Sequence, residues 1–260
     1  MLFDTHIHTK FSFDSQMRIE AAIRKGESLG IGLTITDHLD KNYNRLFPEA
    51  YSDFSIRQFH EEYQGKRTAN LLLGIECGMD PRYAAESLAF IDAGPLDYVI
   101  GSVHTMVDAD LFSRANFLKQ PRAAFYRAYF QYVLQCLKSH PFVDSLGHLD
   151  YPARYAPYPD KGFRYREFPE ELGEVFRFLA KTDMALELNL VRFRNPEFLE
   201  EFTENYQAFR DMGGKYVTIG SDSHGPGPIG EALRDAAEFI RALGLKPVHF
   251  IERKLVYSQE

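Results

Sequence analysis

Short apolar, β-branched runs alternate with amphipathic stretches along the whole chain. Leu2-Phe3 leads into Asp4-Thr5-His6-Ile7-His8, a short first strand. Ile19, Ala22, Ile23 and Leu29 then fall at helical spacing, and Gly30 ends a helix over 18–29. The pattern predicts further strands over 32–38, 71–78, 98–104, 145–150, 185–190 and 216–224, the last including its C-terminal loop. Helices are predicted over 59–66, from Pro81, from Pro121 to about Ser139, from Pro169 to about Lys181, over 198–212 and over 230–243. A strand-like segment at 248–256 closes the chain. Two irregular stretches, 39–57 and 105–120, are too long or too aromatic for plain connections and are expected to fold over a site.

Seven β/α units in succession predict an α/β protein with a seven-stranded parallel (β/α) barrel of the TIM-barrel type, formed as one domain over 1–260. The polar residues support a barrel over an open doubly wound sheet. They stand at the C-terminal ends of nearly every strand, where a barrel builds its site, and not at one switch point. In the first strand His6 and His8 point to one face and Ile7 to the other, so two imidazoles can grip one metal ion. The other strand ends supply Asp37 and His38, Glu76, His104, His148 with Asp150, and Asp222 with His224, while Asp14 follows closely on the first strand. This set uses six of the nine histidines; His60, His140 and His249 fall in helical or terminal contexts and have structural or solvated roles. A lone His or Asp at a strand end is ordinarily a capping or hydrogen-bonding group. A ring of them without cations would suffer desolvation and like-charge repulsion, which divalent metals relieve.

Composition narrows the partners. Net charge is −7, and no basic stripe is present to neutralise a polynucleotide, so nucleic acid is not an expected partner. No apolar run approaches membrane-spanning length, and no leader pattern precedes His6, so neither membrane association nor export is expected. Cys77 and Cys136 form no disulfide framework, which fits a reducing, cytoplasmic setting.

Six ordered motifs, HxH at the start, then TDH, GIE, GSVH, GHLD and SDSH, resemble the PHP family (polymerase and histidinol phosphatase domains) over nearly the whole chain. The resemblance implies a distorted seven-stranded (β/α) barrel with two to three divalent metal ions, for which zinc, iron or manganese suit the N/O donors. It further implies one metal on His6, His8, Glu76 and Asp222, a second on the bridging Glu76 with His104 and His148, and a third on Asp14, His38 and His224. Many members carry His where this chain has Asp14. Asp37 is expected to orient His38 without binding metal. Within the family, GHLDYPARYAP and ELNLVRFRNPEF look like segments of the histidinol-phosphatase branch, although LNLVRFR stands where that branch often has a smaller, more polar segment. Arg154, Arg192 and Arg194 in these segments are expected to bind a substrate phosphate, since guanidinium pairs with phosphate oxygens.

The implied activity is metal-assisted hydrolysis of a small-molecule phosphomonoester, with L-histidinol phosphate of histidine biosynthesis as the expected substrate. Glu76 would bridge two metals ~3.5–4 Å apart, and Asp222 or His224 would help protonate the leaving alkoxide. The alternatives are a PHP phosphoesterase acting on nucleotides or phosphotyrosine, and a non-catalytic, metal-stabilised interaction domain. An amidohydrolase also begins with HxH but usually supplies a bridging lysine at a later strand end, which no strand end here offers.

Overall fold

The computed structural model describes residues 1–48, 54–113 and 120–258. Its centre is a mostly parallel sheet. Strands β1 (Phe3–Ile7), β2 (Gly32–Leu39), β3 (Leu71–Gly78), β4 (Tyr98–Ser102), β7 (Ser145–Leu146), β8 (Ala185–Asn189) and β9 (Tyr216–Gly220) pair in that order, each parallel to the next. β1 to β4 are buried along their entire lengths, as befits parallel strands covered on both faces. The helices between them bury apolar stripes. In α1 (Ile19–Leu29), Ile19 and Ala22 face the sheet. The helix Arg122–Ser139 buries Phe125, Tyr126, Tyr129 and Phe130, with Phe168 and Phe163 packed against its aromatic face. Among the described residues, no helix is long and apolar enough to cross a membrane.

The expected strand count is corrected. The sheet has nine strands, not seven, because the C-terminal segment folds into β10 (Lys246–Ile251), parallel to β9, and β11 (Lys254–Tyr257), antiparallel to β10. The intervening Glu252 and Arg253 adopt φ of 50° and 63°. That left-handed turn usually recruits Asn or Gly, so the sequence carries no hairpin signal there. The first strand also approaches the segment after β9: Ile7 forms a parallel bridge with Ser223, and the His8 N–H donates to the Ser223 carbonyl at 2.9 Å.

Other bounds shift for local reasons. The fifth strand is two residues long, since Pro152 sits in the first turn of a short helix, Tyr151–Tyr155, and the chain turns at His148 to enter it. The fourth strand stops at Ser102, and the stretch after it forms a small hairpin from β5 (Thr105–Met106) and β6 (Ala109–Asp110). Within the stretch 39–57 a short helix spans Lys41–Leu46, and Tyr51 lies outside the described residues, as do 114–119 of the second irregular stretch.

At the N-terminal end of the sheet, buried Asp97 ties the C-terminal hairpin to the central strands. Its carboxylate accepts from the Leu73 N–H at 3.0 Å, the Glu252 N–H at 3.0 Å, and Arg67 Nε and Nη2 at 2.8 and 2.6 Å. Asp97→Ala leaves buried donors unsatisfied and should cost about 2–4 kcal/mol in denaturant unfolding. A loss below ~0.5 kcal/mol would show that the hairpin is held by other contacts.

Candidate metal centre

Glu76, near the C-terminal end of β3, is fully buried and faces five imidazoles. Its Oε1 lies 2.7 Å from His148 Nε2 and 3.2 Å from His104 Nε2. Its Oε2 lies 3.0 Å from His38 Nδ1, 3.2 Å from His6 Nε2 and 3.4 Å from His8 Nε2. Asp222 Oδ1 completes the first group, 3.2 Å from His8 Nε2 and 3.7 Å from His6 Nε2. Asp14, in the loop after β1, meets His224 Nε2 at 3.1 Å and His38 Nε2 at 3.6 Å. All nine sequence-predicted ligands therefore gather at one end of the sheet. Sets of donor atoms within 4.8 Å of one another include His6, His8 and Glu76; Glu76, His104 and His148; and His8, His38 and His224.

The far side of four of the rings shows which nitrogen faces inward. His6 Nδ1 donates to Glu187 Oε1 at 2.6 Å, and His104 Nδ1 donates to Asp40 Oδ2 at 2.5 Å. His8 Nδ1 donates to Ser12 Oγ at 2.9 Å, while Ser12 spends its own proton on Asp37 Oδ1 at 2.8 Å. His224 Nδ1 donates to the Asp222 carbonyl at 3.0 Å. With Nδ1 carrying the proton, the Nε2 lone pairs point into the centre. There His6 Nε2 and His8 Nε2 stand 3.0 Å apart, and His104 Nε2 and His148 Nε2 stand 3.4 Å apart. Facing lone pairs at such distances need a proton or a cation between them, so the donor set fits divalent metal ions.

The charges tell the same story. Burial opposes charge on His6, but Glu187, Glu76 and Asp222 outweigh it and raise its pKa well above the ordinary value. Burial, with the His38 and His224 rings, pushes neighbouring His8 down to about 3. One ring of the pair thus takes a proton and the other stays neutral. His104 is raised to about 9 because Asp40 and Glu76 overcome its burial. Burial would raise Glu76, yet His6, His104 and His38 hold it well below the carboxylate range. Protons here stand in for metal cations.

The loops that carry the candidate ligands are pinned by buried acids. Asp4 accepts from the Ser221 N–H at 2.8 Å and the Gly230 N–H at 2.9 Å, bracketing the loop with Asp222 and His224. Asp222 takes a left-handed backbone, φ 55°, which Asp tolerates better than most residues, and its N–H donates to the His6 carbonyl at 2.9 Å. Asp37 reaches the imidazoles through Ser12: its carboxylate accepts from Thr9 N, Thr9 Oγ1, Ser12 N and Ser12 Oγ, and Ser12 Oγ in turn accepts from the His8 ring and from the His38 backbone N–H at 3.1 Å. Asp37 and His38 are consecutive strand residues on opposite faces, which separates their side chains.

The three arginines part company. The Arg154 side chain is 9% exposed; its Nη1 donates to Asp222 Oδ2 at 2.7 Å, whereas its Nε and Nη2 have no hydrogen-bond partner. It lines a cavity of about 440 Å³ together with Glu76, His104, His148, Asp222 and His224, and Phe13, Tyr43, Phe112, Tyr151 and Tyr155 form the aromatic side of that cavity. Arg192 does not reach this space. Its guanidinium is committed to Glu201 at 2.7 and 2.9 Å and to Asp150 at 3.2 Å, and it stacks over Phe198. The expectation that it binds phosphate is corrected accordingly. Arg194 does not line the cavity either, and donates to Glu231 at 2.8 Å and to the Ser221 carbonyl at 3.4 Å. Residues that the sequence reading missed are Glu187, Asp40, Ser12 and Asp4. Only Asp4 and Asp40, each two residues from a predicted ligand, carried a signal.

Comparison with known proteins agrees with this geometry. The PHP domain family matches residues 4–190. A probable histidinol-phosphatase of Clostridium acetobutylicum is 36% identical over 258 residues, covering 99% of this chain and 100% of that protein. A histidinol-phosphatase of Lactococcus lactis subsp. lactis is 32% identical over 228 residues, covering 85% of this chain and 83% of that protein. A crystal structure of histidinol phosphate phosphatase from Lactococcus lactis, complexed with zinc, L-histidinol and phosphate, superposes with a TM-score of 0.86 at 29% identity over 98% of each chain. Sequence, fold and relatives agree, and the chain belongs to the PHP domain family.

Proposed function

We propose that the chain is a metal-dependent phosphatase that hydrolyses L-histidinol phosphate to L-histidinol and phosphate, a step of histidine biosynthesis. The observation that carries this reading is Arg154, which lines one cavity with the imidazole–carboxylate cluster and keeps two nitrogens without a hydrogen-bond partner. The similarity to histidinol-phosphatases, one of them solved with zinc, histidinol and phosphate, selects the substrate. The aromatic side of the cavity suits a flat ring, and its volume suits a small molecule.

His6, His8, Glu76 and Asp222 would hold one ion, Glu76, His104 and His148 a second, and Asp14, His38 and His224 a third; zinc, iron and manganese all suit these donors. Divalent ions held there supply Lewis acidity toward phosphoryl oxygens and a water acidic enough to attack at neutral pH. Arg154 binds the phosphoryl group through Nε–H and Nη2–H, while its Nη1 contact with Asp222 fixes the plane of the guanidinium. Those two donors neutralise charge that builds on the equatorial oxygens as the ester bond breaks. Asp222 and His224 share one loop beside the cavity, and His224, the more exposed of the two, is assigned to deliver a proton from Nε2 to the departing alkoxide when the third site holds no ion. Tyr151 packs on His104 and His148 and carries the Arg154 guanidinium 5.3 Å from its ring, which keeps the phosphate end of the cavity ordered.

The bridge between β1 and the loop after β9 supports reading the parallel strands as a distorted barrel, and one sheet running from Phe3 to Tyr257 supports a single domain over 1–260. Two buried, unpaired cysteines support a cytoplasmic setting.

Metal-loaded protein should hydrolyse L-histidinol phosphate in preference to nucleoside monophosphates and phosphotyrosine; strong preference for a nucleotide would reject the substrate, and no turnover of any phosphomonoester would reject the enzyme. Glu76→Ala should cut activity to below about one-thousandth and remove bound metal, as read by elemental analysis. Arg154→Ala should raise KM ~10–100-fold with metal content intact. Arg192→Ala should instead cost ~3–5 kcal/mol of stability, because Glu201 and Asp150 lose a buried partner, and leave KM of the folded enzyme unchanged.

A further inference from the structure

Two buried carboxylates outside the proposed ligand sets, Glu187 and Asp40, each grip the far nitrogen of a ligand imidazole. Glu187 lies on β8. Its Oε1 accepts from His6 Nδ1 at 2.6 Å, and its Oε2 accepts from the His148 backbone N–H at 2.6 Å and from Asn189 Nδ2 at 3.3 Å. It therefore holds one residue from each of the first two ligand sets. Asp40, just beyond β2, accepts from His104 Nδ1 at 2.5 Å and so holds a residue of the second set. Both acids are nearly inaccessible to solvent.

Each carboxylate occupies space that a glycine on a neighbouring strand leaves open. A Cβ at Gly78 would overlap the Asp40 carboxylate, and a Cβ at Gly220 would overlap Glu187 Oε1 and the His6 side chain. Glycine is required at both positions by close approach, since neither has a positive φ. The same device thus occurs twice: a strand-end glycine, a buried carboxylate admitted beside it, and an imidazole turned by that carboxylate so that Nε2 faces the centre.

We propose that Glu187 and Asp40 are positioning residues with unequal reach: Glu187 sets the ligands of both ions that share Glu76, and Asp40 sets only the ion on the His104–His148 side. The physical basis is tautomer and orientation. A carboxylate on Nδ1–H keeps the lone pair on Nε2, fixes the ring plane and makes the ring a better donor, effects worth ~10–100-fold in metal affinity. Glu187 acts additionally through the His148 backbone, which it holds where the chain leaves the short strand β7.

This inference rests on the ligand sets proposed above, and the test separates the two. Zinc affinities of the full chain are measured by competition with a chromophoric chelator for the wild type, Glu187→Gln, Asp40→Asn and Gly78→Ala. Thermal unfolding of each metal-stripped protein reports folding. Glu187→Gln should weaken two ions, and Asp40→Asn one, each about 10–100-fold. Gly78→Ala keeps every ligand and both acids but displaces Asp40, and it should reproduce the Asp40→Asn pattern. In the cobalt-loaded proteins, the exchangeable His104 Nδ1–H resonance should shift in Asp40→Asn and Gly78→Ala and hold its place in Glu187→Gln. Unchanged affinities in Asp40→Asn and Gly78→Ala, or equal loss of every ion in a folded Asp40→Asn protein, would overturn the inference; the Asp40 arm decides alone should Glu187→Gln not fold. A wild-type protein that binds no zinc would overturn the ligand sets instead.

Discussion

A carboxylate with no access to water, surrounded by five imidazoles, cannot be neutral ground. Glu76 buried by itself would be expensive, and so would each protonated ring beside it. Together they compensate one another, but only while positive charge sits between the rings and the carboxylates. The polarised state of the centre, with His6 driven up and His8 down to about 3, is how the chain meets that requirement with protons. Divalent cations meet it better, since each replaces a proton and satisfies several lone pairs at once.

The remaining structure serves that constraint. Parallel strands bring residues from positions 6 to 224 to one end of the sheet, and buried acids at the back fix the His6 and His104 rings. Asp37 reaches His8 through Ser12, Asp4 clamps the loop of Asp222 and His224, and Glu187 ties His6 to His148. Arg154 stands at the edge of this shell, where it lines the cavity: it is anchored by Asp222 on one side, and two of its nitrogens have no hydrogen-bond partner, which is the basis for proposing it as the anion site.

How much of this was legible in the sequence follows from what local pattern records. The strands with strong apolar runs lie close to their expected bounds, and the candidate ligands at their ends are legible because His, Asp and Glu at strand ends are conspicuous against apolar neighbours. Features that depend on tertiary contact were lost. Arg192 and Arg154 look alike in sequence; only packing shows that Glu201 and Asp150 consume the first and leave the second half free. Glu187 reads as one more polar residue in the sixth predicted strand, and its role depends on the space at Gly220, a residue thirty-three positions away. The terminal hairpin was missed because Glu252-Arg253 is poor turn chemistry, rescued by Asp97, Asp144 and the ends of the central strands.

The central claim is that Glu76 is shared, one oxygen turned to each of two cations. Anomalous scattering from crystals of the zinc-loaded protein tests it most directly. The account predicts two zinc peaks flanking Glu76, one within bonding distance of Oε2 with His6 and His8, the other of Oε1 with His104 and His148. A single peak, or two peaks with Glu76 bound to neither, would contradict it.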